Sequence, residues 1–124
     1  MKNLLVVSIL IAQLVVGCAI LQPGADPLVV RAEQTQQVSL AVVDQFLRYE
    51  YKNRATLGPK VKQAADEVRK NFPPASKALE AATKAYKNNR TIDNKANLIT
   101  WLSVVETLQG EVSAWFPLNP QPVQ

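Results

Sequence analysis

The sequence predicts an all-α fold, a small helical bundle. Three observations predict it. Apolar residues recur at three- and four-residue spacing, most regularly from Leu98 to Phe116. Beyond the N-terminal apolar run there is no clear alternation of apolar and polar residues and no hairpin turn signal. Turn and breaker signals at Leu57-Gly58-Pro59, Phe72-Pro73-Pro74 and Lys87-Asn88-Asn89-Arg90 divide the chain after residue 26 into four helical segments. A four-helix up-down bundle is the leading arrangement. A three-helix bundle with a kink at Pro73-Pro74 is the alternative.

The first helix is expected to start at Asp26-Pro27. Aspartate accepts from free N–H groups of a first turn, and proline is favoured at the first helical position. Val29, Ala32, Leu40, Val43, Phe46 and Leu47 form its stripe, with Gln36 and Ser39 inside it. Valines lower helix propensity here, but no turn residue interrupts residues 28–52, which predicts one helix of about 38 Å. Leu57-Gly58-Pro59 then turns the chain.

A second helix is expected over residues 59–71, with Val61, Ala64, Ala65, Val68 and Phe72 on one face. The two prolines remove N–H donors and constrain the preceding residue, which predicts a break. A third helix follows from Pro74, with Ala75, Ala78, Leu79, Ala82 and Tyr86 on one face. Lys87 and Arg90 suit the negative end of its dipole, and an asparagine can cap it. The fourth begins at a Thr91 or Asp93 cap. Its residues Leu98, Trp101, Leu102, Val104, Val105, Leu108, Val112, Trp115 and Phe116 fall within an arc of roughly 160°. Residues 117–124 hold three prolines and no charge, so they are expected to be extended or disordered.

The start of the chain has a different character. Lys2 and Asn3 precede an apolar run over residues 4–16. That run is too short for a bilayer core of roughly 30 Å. Gly17 follows it, then Cys18, the only cysteine. This pattern resembles the lipobox of bacterial prolipoproteins, over residues 1–18 alone. The resemblance implies that residues 1–17 are a signal peptide cut between Gly17 and Cys18. It also implies that Cys18 carries acyl chains such as palmitate. Two or three such chains make a stable membrane anchor. Ala19 stands where aspartate would signal inner-membrane retention, which implies the periplasmic face of the outer membrane in a Gram-negative host. The expected organisation is a signal peptide (1–17), lipidated cysteine and linker (18–26), helical domain (27–116) and tail (117–124).

These features exclude much chemistry. The chain has no histidine, and Cys18 is committed to lipid. No disulfide, Cys/His zinc site, thiol catalysis or histidine catalysis is expected. Its four glycines form no phosphate loop, dinucleotide fingerprint or Gly-x-Ser-x-Gly elbow. Asp66, Glu67, Glu106 and Glu111 read as solvated surface. No catalytic residue, metal ligand or cofactor is therefore expected, and the protein is not read as an enzyme.

Charge is uneven. Residues 48–95 hold 12 Lys/Arg against Glu50, Asp66, Glu67, Glu80 and Asp93, a local balance of +7. A tethered envelope protein rarely meets nucleic acid, so anionic lipid or an envelope protein is the expected partner. Within this region, Arg48, Tyr49, Tyr51, Lys52 and Arg54 alternate charge and aromatic character and form the candidate interaction patch. Glu50 falls on the apolar stripe of the first helix. It is expected to reach solvent near the helix end, or to pair with Lys52 or Arg54. The oligomeric state has no sequence signal. The expected function is that of a lipid-anchored, non-enzymatic binding module of the cell envelope. The alternatives are a phage- or cell-encoded modulator of an envelope receptor or enzyme, and a lysis-associated outer-membrane lipoprotein. The last is similar to the spanin lipoproteins only in its anchor and proline-containing tail.

Overall fold

A computed structural model describes residues 24–115. Cys18, the cleavage site at Gly17, the signal peptide and the tail lie outside these residues. The chain divides into two compact units, one ending at Val30 and the other beginning at Arg31. The described residues form three helices: α1 (Pro27–Asn53), α2 (Pro59–Asn88) and α3 (Ile92–Trp115). No strand occurs among them. The all-α expectation therefore holds for the described residues.

Helix α1 starts as its sequence dictates. The Leu28 N–H donates to Asp26 Oδ1 at 2.9 Å, and Pro27 occupies the first helical position. At the other end, the Asn53 carbonyl accepts from the Thr56 and Leu57 amides, and the Thr56 hydroxyl adds a third bond. Gly58 then takes an extended conformation, and Pro59 opens α2.

Helix α2 corrects the expected break. Pro59–Asn88 is one helix that runs through Pro73 and Pro74, so the segments expected over residues 59–71 and from Pro74 are continuous. Both prolines lie on the exposed side of α2. The carbonyls they leave without an intrahelical donor, those of Arg69 and Lys70, belong to residues that are half-buried and exposed. Water can therefore replace the missing bonds. On the opposite side, the buried residues Ala65, Val68, Phe72, Ala75, Leu79, Ala82 and Tyr86 keep a three- and four-residue rhythm through the prolines. Packing of this stripe outweighs a proline penalty of about 3 kcal/mol at each position.

Asn89 closes α2, its N–H donating to the Ala85 carbonyl. Thr91 starts α3 by accepting from the Asn94 N–H at 3.1 Å. Within the second unit, α1 contributes Ala32, Val42, Val43 and Phe46 to the core, α2 the stripe above, and α3 Leu98, Leu102, Val105 and Val112. Full burial of such a large aliphatic or aromatic side chain contributes about 1.5–3 kcal/mol. Trp101 is half-buried and Trp115 is 44% exposed, so the two tryptophans sit at the rim of the core rather than in it.

Bonds between helices set the pairing. Lys87, at the end of α2, donates to Glu33 near the start of α1. Arg69, earlier in α2, reaches Glu50 near the end of α1. These helices are therefore antiparallel. The Arg31 guanidinium binds Glu106 of α3 through two bonds, at 2.9 and 2.8 Å.

Candidate functional site

A densely bonded polar cluster lies where the end of α1 meets the start of α2. Glu50 is fully buried. One carboxylate oxygen accepts from Arg54 and the other from Arg69. Both arginines also hold Asp66, Arg54 through bonds of 3.1 and 3.2 Å and Arg69 at 3.0 Å. Two anions and two cations thus form a closed, neutral cluster. The Arg54 guanidinium holds the Asp66 carboxyl below the usual carboxylate range, with Arg69 acting in the same direction. Asp66 in turn raises Arg54 above its ordinary value.

This geometry bears on three readings of the sequence. Glu50 does not reach solvent; its pairing with Arg54 is present, and Arg69 joins it. Asp66 is exposed, as expected, and is also bonded by Arg54 and Arg69. Arg54 belongs to the cluster rather than to an open basic patch. Glu106, also read as plain surface, is bound by Arg31.

The rest of the patch divides around α1. Tyr51 is 78% exposed, with the exposed Arg48 one turn before it on the same side and the exposed Lys52 about 100° round the helix. Arg48 bonds Asp44 at 2.8 Å on the surface. Tyr49 lies about half a turn of helix from Tyr51 and is 38% exposed. Arg48 and Lys52 thus share one side of α1, with Tyr51 and Tyr49 each about 60° to either side of them, while Arg54 turns to the Glu50 cluster.

The α1–α2 pairing also splits the basic stretch in space. Residues 48–70 lie at the end marked by the Glu50 cluster, while Lys87, Arg90 and Lys95 lie at the end marked by the Glu33–Lys87 bond. A groove of about 570 Å³ runs between α1 and α2, lined by Glu33, Gln36, Leu40, Thr83, Lys84 and Lys87 among others. The Gln36 amide nitrogen donates to the hydroxyl and carbonyl of Ser76, while its buried oxygen has no protein donor. Sequence placed Gln36 on the stripe, but its partner lies 40 residues away and left no local signal.

Among the described residues, no cluster of acidic, cysteine or histidine side chains could hold a metal, and no helix is long and apolar enough to cross a membrane. Comparison with protein-family models, curated proteins and solved structures finds no match to this chain.

Proposed function

We propose that this chain is a lipid-anchored, non-enzymatic protein of the cell envelope whose helical domain binds an envelope protein. On this reading Cys18 carries the acyl chains, and the protein resides at the outer membrane where the host has two membranes. The observation that carries the binding role is Tyr51, an aromatic side chain 78% exposed at the end of α1, with the exposed Arg48 one turn before it and the exposed Lys52 about 100° round the helix. Tyrosine and arginine dominate the energetics of protein interfaces because each adds a large contact area and a directional polar group. The cations select an acidic partner.

Two measurements test this reading. Labelled palmitate is expected to enter the wild-type chain and not Cys18→Ser, which should accumulate as an uncut precursor. Tyr51→Ala combined with Arg48→Glu and Lys52→Glu is expected to weaken capture of the envelope partner by about tenfold or more. Arg54 is left intact because its loss would open the buried cluster. An unlabelled wild-type chain refutes the anchor, and full capture by the triple variant refutes the binding surface.

A further inference from the structure

We infer that the first two turns of α3 lie against an anionic phospholipid surface, with Ile92 and Ile99 dipping into it. This inference rests on the lipid-anchor reading. Ile92 is the most exposed of the large hydrophobic residues among those described, at 87%, and Ile99 on the same face is 48% exposed. Lys95, Ile99, Ile92 and Ala96 fall within an arc of about 100° around α3. Asp93 points about 100° away from Ile92, to the side of this face.

The exposure of Ile92 is built in rather than a consequence of a loose turn. Thr91 caps α3 through Asn94, and the Asn94 amide donates to the Asn89 carbonyl at 2.8 Å. The Thr91 N–H and carbonyl are both bonded. Arg90 is set over the Tyr86 ring, 5.7 Å from its centroid. A bonded turn therefore holds an aliphatic side chain outward, with Lys95 on its face and Arg90 two residues before it, over the Tyr86 ring. Such a face suits the boundary of headgroup and acyl chain, where aliphatic groups bury and cations meet phosphates.

Chain length and the start of the second unit identify the occupant. The stretch from Cys18 to Pro27 spans at most about 30 Å, even fully extended. The second unit begins at Arg31, and its Glu33 bonds Lys87, three residues before Arg90. Arg31, the first residue of the second unit, thus lies at the end of that unit that carries the α2–α3 turn, while Tyr51 lies at the opposite end of α1. Under the anchor reading, the short chain back to Cys18 puts the bilayer within nearer reach of the Ile92 end of the second unit than of its Tyr51 end.

The test uses the full chain with Cys18→Ser, mixed with preformed vesicles. A polarity-sensitive fluorophore is attached to the thiol of Ile92→Cys, or of Tyr51→Cys as the comparison. On vesicles of phosphatidylethanolamine and phosphatidylglycerol, the probe at position 92 is expected to report an apolar environment, and the probe at 51 water. Arg90→Glu with Lys95→Glu should lower the ratio of docked to free chain by about 30-fold or more, since losing two cations at about 1 kcal/mol each already gives that factor. High salt should act in the same direction. An aqueous signal at 92, an equal response on phosphatidylcholine, or shielding of 92 by envelope proteins but not by vesicles overturns the docking. Palmitate incorporation at Cys18 is scored separately in the wild-type chain, so failure of the anchor and failure of the docking give different results.

Discussion

Glu50 and the two arginines around it show how one buried charge constrains a small domain. Each of its oxygens has its own guanidinium, and Asp66 binds the outer side of both arginines. Withdrawing a carboxylate from water is tolerated only while such partners persist. Arg54→Ala with Arg69→Ala leaves Glu50 buried without them and is expected to cost about 3–5 kcal/mol in urea unfolding. Glu50→Met removes the burdened group itself and leaves both arginines with Asp66, so it should cost less. A double arginine variant as stable as wild type would show that Glu50 relaxes to solvent. Part of this cluster was legible in the sequence. Apolar periodicity put Glu50 on the core stripe, and Arg54 stands four residues later, within reach on a helix. Arg69 was not legible, because it lies across a turn and only the pairing of α1 with α2 brings it close.

At the scale of the element, α2 is where local rules lost to packing. Two prolines in sequence predict a stop, since each lacks a donor and crowds the preceding turn. The signal that outweighs them was also present in the residues. Counted through the prolines, Ala65, Val68, Phe72, Ala75, Leu79, Ala82 and Tyr86 stay in phase, which two independent helices have no reason to do. The limits of α1 and the Thr91 cap of α3 were legible because aspartate, proline, glycine and threonine act within a few residues. Pro74 sits on the exposed side of α2, so Pro74→Ala is expected to restore a backbone bond without disturbing the core. Its gain should reach up to about 2–3 kcal/mol, after allowing for the more restricted unfolded chain that proline provides. Thermal unfolding measures this gain. A loss of stability instead would show that the local geometry at the prolines seats α2 against its neighbours.

For the molecule as a whole, the two joints of α2 differ in kind. Helices α2 and α3 are joined by a short turn and each bury a set of apolar residues, while the far end of α1 is bonded to α2 through charged groups. Asp66 makes that joint sensitive to acid. Its folded pKa lies below its unfolded one, so the stability it contributes is fully present above about pH 4, the ordinary carboxylate value, and disappears as pH falls through the lower folded value. Urea unfolding of wild type is therefore expected to lose more stability between about pH 5 and pH 2 than that of Asp66→Asn. Equal losses would place the acid response elsewhere. The three-helix count itself depended on α2 alone, and the split of the basic stretch between two ends became visible only once α1 and α2 were paired.

The continuity of α1 has a mechanical consequence. Tyr51 stands near its last residue, and the chain leading back to Cys18 leaves from its first. Tension between a membrane anchor and a grip at Tyr51 would run along this single helix, stretching its hydrogen-bond ladder in series. The ion pairs between α1 and α2 would be sheared together rather than peeled one by one. Through those ion pairs the hairpin of α2 and α3 takes up part of the load and acts as a splint along the strained member.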